Sequence, residues 1–168
     1  MTSLPLYAYT DGACPGRHGI GGWGVLLIAC DSNGNEVDAV ELSGGEIETT
    51  NSRMELMAAI YALEILPDNT NLVVVSDSKY VVDGITKWIK RWRRNNWIDA
   101  TKREIKNLDL WKRLDTAHMR HTVKWRWVKG HNGHKENERA DALARAGVEK
   151  AKILRDSENE ADRRKMGH

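Results

Sequence analysis

A mixed β-sheet with helices packed against its faces is the fold class predicted by this 168-residue sequence, and three observations predict it. Apolar runs near the start are parted by the turn cluster Asp31-Ser-Asn-Gly-Asn, as an antiparallel hairpin requires. Helical and strand-like patterns then alternate, which implies crossover connections beside a sheet. The length suits one domain with a substantial core.

Residues 4–10 read as a short strand. Residues 23–30, Trp-Gly-Val-Leu-Leu-Ile-Ala-Cys, read as a second, and residues 36–43 return antiparallel to it. From Ser52 to Leu66 the apolar positions Met54, Met57, Ala58, Tyr61 and Ile65 keep helical spacing, until Pro67-Asp-Asn-Thr stops them. Residues 71–76 are a continuous apolar run short enough for a buried strand. Asp77-Ser78 can cap a helical region that reaches about Asn95. Residues 107–118 predict another helix, and His121 to Val128 alternates as a strand. Gly130 to Gly133 reads as a loop. A long helix follows, with Ala140, Leu143, Ala144, Gly147, Val148 and Ala151 on one stripe. The order is β-β-β-α-β-α-α-β-α. Asp156 to His168 is polar and highly charged, and is expected to fray.

A 40% hydrophobic and 30% charged composition is that of an ordinary soluble domain. No stretch approaches a membrane span, and the start lacks a basic region followed by an apolar one, so the cytoplasm is the expected location. Cys14 and Cys30 make neither a disulfide framework nor a zinc site. The net charge of +2 hides an asymmetry. Between Gly84 and Lys106 stand eight basic and two acidic residues, net +6, which leaves −4 for the rest. A basic block on an acidic body points to an anionic polymer as partner.

Ile85, Trp88, Ile89 and Trp92 form a helical stripe suited to the core, while Lys87, Lys90, Arg91 and Arg94 form the opposite face. A basic amphipathic helix also suits a membrane surface or a partner protein, but a buried Trp face argues against membrane insertion. Trp97 falls outside the stripe and is a candidate for a ring presented to a sugar or base. The spaced glycines of Gly19-Ile-Gly-Gly-Trp-Gly24 match a dinucleotide-binding pattern, but a strand follows rather than a helix. A tight hairpin turn and close backbone approach explain them better.

Four carboxylates are the candidate chemistry, and each has a structural alternative. Asp11 precedes Gly12, which is turn chemistry. Ser52-Arg-Met-Glu55 fits a capping box. Asp77 either caps the following helix or marks the carboxyl end of a buried strand, where sites in α/β sheets collect. Asp141 is either a solvated helix carboxylate or a core-boundary group. His131, between glycines, is a loop histidine able to exchange protons near neutral pH, and His134 reads as a residue at the start of the helix.

In order, the segments Tyr9-Thr-Asp-Gly-Ala-Cys14, Thr50-Asn-Ser-Arg-Met-Glu-Leu-Met-Ala-Ala59, Ser76-Asp-Ser-Lys-Tyr-Val81 and Trp127-Val-Lys-Gly-His-Asn-Gly-His-Lys-Glu-Asn-Glu-Arg-Ala-Asp141 closely resemble bacterial ribonuclease H of type 1. The resemblance runs from about residue 4 to 148. It implies a ribonuclease H-like fold, a five-stranded mixed sheet flanked by helices. Residues 1–148 would be the catalytic domain, with a basic protrusion at about 84–106. Residues 149–168, a helical extension and charged tail, have no counterpart.

The resemblance implies hydrolysis of the RNA strand of RNA–DNA hybrids, leaving 5′-phosphate and 3′-hydroxyl ends, by a cytoplasmic monomer. It makes Asp11, Glu55, Asp77 and Asp141 ligands of two Mg²⁺ ions, with Mn²⁺ as a substitute, and His131 an aid to proton movement or product departure. Hard oxygen donors suit Mg²⁺, and paired ions can clamp the attacking and leaving oxygens of an in-line displacement. Thr50, Asn51 and Ser52 match positions near the nucleic-acid backbone. Gly12, Ala13 and Cys14, with Asn51, are candidates for reading the 2′-hydroxyl, the group that separates RNA from DNA. Lys87, Lys90, Arg91 and Arg94 would hold DNA phosphates.

Three departures fall where the family touches RNA: Arg17-His18-Gly19 replaces an Asn-Pro-Gly turn, Ser52 replaces a second asparagine, and Lys79 replaces a polar amide. The rivals are another metal nuclease of the same fold and a non-catalytic hybrid-binding module. The presence of all four carboxylates disfavours the module.

Overall fold

The computed structural model describes residues 5–16, 19–130 and 133–167. Five strands form one mixed sheet in the order β3-β2-β1-β4-β5. β1 (Leu6–Ala13), β2 (Gly19–Cys30) and β3 (Glu36–Thr49) are an antiparallel meander, and β4 (Asn71–Ser76) and β5 (Thr122–Trp127) continue the sheet parallel to β1. α1 (Asn51–Glu64) and α4 (Leu108–Met119) share one face; α5 (Lys135–Met166) crosses β3, β2 and β1. The main core lies between α1, α4 and the sheet and includes the fully buried Met54, Leu56, Ile60, Leu63, Trp111 and Leu114. Each such side chain contributes about 1.5–3 kcal/mol on leaving water.

The element order is the expected one; β1 runs on past residue 10, β2 and β3 are longer than expected, β4 matches and β5 is one residue shorter at each end. β1 continues through Asp11 and Gly12, which pair with Gly24 and Trp23, so Asp-Gly is strand here and not a turn. Gly12 is required for another reason: a Cβ there would lie 2.5 Å from the Glu55 backbone nitrogen. The glycines of β2 serve the second face. A Cβ on Gly24 would meet the Ala140 carbonyl oxygen at 2.5 Å, and one on Gly22 would strike the Ala144 carbonyl. The close approach expected of these glycines is therefore present, and Gly19, Gly21, Gly22 and Gly24 all pair with β3, with a register shift between Gly19 and Gly21 and no tight turn among them.

α2 (Lys79–Asp83) and α3 (Ile89–Arg94) are joined by a single wide π-helical turn, Gly84–Trp88. Gly84 lies directly against the Trp111 ring, where any Cβ would collide. Trp88 and Trp92 pack around the same indole, with ring centroids 6.3 and 5.3 Å away. The stripe predicted for the core is thus in it. Arg93 forms a two-pronged ion pair with the buried Asp115 of α4, its Nε donating at 2.9 Å.

The expected fraying after Asp156 is corrected. α5 remains helical to Met166, with an Arg164–Glu160 pair at 2.7 Å and basic residues in the last turn that complement the helix dipole. Among the described residues no helix is long and apolar enough to cross a membrane.

Candidate metal centre

Strand register sets two of the carboxylates side by side. Thr10 of β1 pairs with Ser76 of the parallel β4, so the next residues, Asp11 and Asp77, emerge together. Gly12 admits the start of α1 against β1, and Glu55, one turn into that helix, reaches the same point. Asp11, Glu55 and Asp77 each place a carboxylate oxygen within 4.8 Å of the others. Asp141 lies outside that trio, on α5, with an ion pair to Arg145 at 2.6 Å, yet it lines the same cleft.

The capping readings are corrected. Thr50, not Ser52, caps α1, accepting from the Arg53 backbone nitrogen at 3.2 Å, which puts Glu55 beyond the capping-box position. Ser78, not Asp77, caps α2, accepting from Val81 at 3.3 Å. Both carboxylates are thereby spared for the centre. The Asp77 backbone carbonyl accepts from Trp127 Nε1 at 2.9 Å.

The crowding is expensive. Burial first, then the charges of Asp77 and Asp141, push the Asp11 carboxyl up to about 8. Burial first, then Asp11 and Asp77, raise Glu55 well above the carboxylate range. Glu55 is only 6% exposed, and its Oε2 is buried with no hydrogen-bond partner among the described residues. A buried oxygen of that kind is normally satisfied. Three converging carboxylates with one such orphan fit a hard divalent cation, which would supply the missing partner and relieve the repulsion.

The other candidate residues spread around this point. Gly12 and Ala13 end β1 beside it, and the Cys14 thiol contacts the Gly16 carbonyl at 3.3 Å. Thr50, Asn51 and Ser52 form the exposed to half-buried start of α1. The Lys79 ammonium stands 4.7 Å from the Trp127 ring centroid. Lys87, Lys90, Arg91 and Arg94 are exposed, with Lys87 paired to Asp83 at 3.3 Å. Trp97 is half-buried against the core, with Lys112 over its ring. His131 and Arg17 lie outside the described residues. Sequence reasoning passed over Thr10, Asn137 and Glu138, which line the cleft with His134. The signal was there for α5: residues 134, 137, 138 and 141 share a helix face.

A carboxylate cluster at the carboxyl ends of parallel strands in this sheet order defines an α/β protein with a metal-type acidic centre. The RNase H family model matches residues 5–149. A ribonuclease H from Dinoroseobacter shibae is 61% identical over 143 residues, 85% of this chain and 90% of that protein. One from Paracoccus denitrificans is 57% identical, covering 85% and 92%. The crystal structure of LC9-RNase H1, a type 1 RNase H with the type 2 active-site motif, superposes with a TM-score of 0.76 at 35% identity, covering 88% of this chain and 74% of that one. The chain belongs to the ribonuclease H family, as a bacterial type 1 member, and is an enzyme of that family.

Proposed function

We propose that the protein cleaves the RNA strand of RNA–DNA hybrids endonucleolytically, leaving 5′-phosphate and 3′-hydroxyl ends, as a cytoplasmic monomer. The observation that carries this is the meeting of Asp11, Glu55 and Asp77 around the unpartnered Glu55 oxygen, in a chain of this family. Asp11, Glu55 and Asp77 would hold one Mg²⁺, and Asp11 with Asp141 a second; Mn²⁺ could replace either. When bound, such ions supply an activated water and charge stabilisation at the leaving oxygen.

The chain's own groups do the rest. Asp11 would be among the ligands, and its raised proton affinity means that metal binding would release a proton. Trp127 fixes the Asp77 backbone through its carbonyl, and Gly130 lies against the Asp77 carboxylate, 2.8 Å from Oδ2 to an ideal Cβ position. His131 would assist proton movement or product departure. The exposed cations of the α2–α3 rod would take DNA phosphates, and the β1 end with Asn51 would read the 2′-hydroxyl.

The test offers labelled RNA–DNA hybrid, RNA duplex and DNA duplex with Mg²⁺ and with EDTA. Hybrid cleavage confined to the RNA strand and abolished by EDTA is expected. Cleavage of the DNA duplex, or hybrid cleavage indifferent to EDTA, would overturn the assignment.

A further inference from the structure

We propose that the cleft over Tyr7 and Tyr9, with the exposed cations of the β5 edge, binds single-stranded RNA continuing from the strand held at the carboxylates. This rests on the hybrid-cleavage reading and adds a binding surface to it. α5 packs on β3, β2 and β1; beyond it, among the described residues, Val73 is half-buried, Val75 is buried and the β5 side chains Lys124 and Arg126 are exposed. Cross-strand register arranges that face in two rows, Ile28–Tyr7–Val73–Lys124 and Leu26–Tyr9–Val75–Arg126.

The two tyrosine rings stack, 6.4 Å apart at 27°. They are half-buried in a cleft that Pro5, Cys30, Glu36, Arg126 and Glu136 also line. Lys124 and Arg126 are exposed on the edge strand. Each lies two strands from its tyrosine, about 10 Å, which is the kind of reach that separates a stacked base from its phosphate. Asp11 follows Tyr9 by two residues on the same strand face, so the tyrosines begin where the carboxylates end.

Paired aromatics on a sheet face flanked by cations are what single strands require: bases stack, and phosphates meet the positive side. The acidic wall sets the orientation. Glu36 is tied to Arg139 at 3.1 Å, so Glu136 is the carboxylate that repels phosphates, which keeps the backbone over β5 and turns the bases toward the tyrosines. The Glu136 carboxylate can accept a hydrogen bond from an exocyclic amine, so cytosine and adenine should be preferred to uracil.

The test uses the full chain carrying D77N, so that bound RNA survives. Binding is measured by fluorescence anisotropy for a blunt hybrid and for the same hybrid with a short oligocytidine, oligouridine or oligodeoxycytidine extension at either end. A cytidine RNA extension at one end should tighten binding at least about fivefold, the low end of one base–aromatic stack. The paired substitution K124E/R126E, on exposed positions that leave the core intact, should abolish that gain and leave blunt-hybrid binding unchanged. A Tyr9→Leu variant should lose it as well. Equal binding of blunt and extended hybrids, or a gain that survives K124E/R126E, would overturn the proposal. Failure of the unsubstituted chain to cleave blunt hybrid would instead sink the underlying reading, so the two failures are distinct.

Discussion

The metal centre and the basic rod solve opposite electrostatic problems. The centre gathers like charges inside: Glu55 is nearly sealed, and Asp11 and Asp77 crowd against it. The rod holds like charges outside, with Lys90, Arg91 and Arg94 in water and Trp88, Trp92 and Trp111 locked beneath them. Repulsion among exposed charges is screened within about 10 Å at ordinary salt, whereas repulsion among buried ones is not. The centre therefore weakens the metal-free fold, while the rod's aromatic base strengthens it.

The largest contrast should come from paired substitutions. Asp77→Asn should cut hybrid turnover by about three orders of magnitude, several kcal/mol of lost transition-state stabilisation, while hybrid binding survives. Activity and anisotropy assays read these separately. Trp111→Ala should do the reverse, costing about 3–5 kcal/mol of stability through the cavity it leaves, as measured by urea denaturation.

Next comes pH. Asp11 is raised to about 8 and Glu55 is raised in the same sense, whereas unfolded carboxylates titrate near 4. Between those values the native state binds more protons than the unfolded one, so metal-free stability should fall as pH climbs from about 4 to 8. Thermal melting without metal should show that decline, and Asp11→Asn should flatten it. Adding Mg²⁺ should raise Tm more at pH 8 than at pH 5.5, since fewer protons need be displaced.

Arg93→Met tests the link between rod and body. It strands the carboxylate of Asp115, which is 9% exposed, while Arg93 itself is 39% exposed. The loss should be about 1–3 kcal/mol, the cost of a stranded buried partner. Smallest is the loss of one exposed cation. Arg91→Ala should leave Tm unchanged and reduce the salt slope of hybrid binding by about 0.9 if that side chain meets one phosphate.

Periodicity and turn chemistry carried the element order, because apolar spacing and breakers act locally. They stopped short at the strand ends. From sequence alone β1 ends at residue 10, because Asp-Gly favours turns in isolation, and the pairing of Asp11 with Gly24 keeps it extended. The tail shows the same limit: charge suggests fraying, while the Arg164–Glu160 i,i+4 pair and the dipole-matched terminus favour helix. The site was harder. Each carboxylate had a sound local use, and the ordered resemblance rather than any one motif tied them together.

The sequence by itself determined the alternation of strands and helices, the Trp-lined rod with its outward cations, and the family to which the chain belongs. The tertiary structure decided what the carboxylates do. Thr50 and Ser78 take the capping duties, parallel register sets Asp11 beside Asp77, and Gly12 lets α1 come close enough to bring in Glu55. The physical reason is range. Caps, turns and stripes are settled within a few residues, but the repulsion that makes this centre want a cation arises only when residues distant in the chain share a dry space.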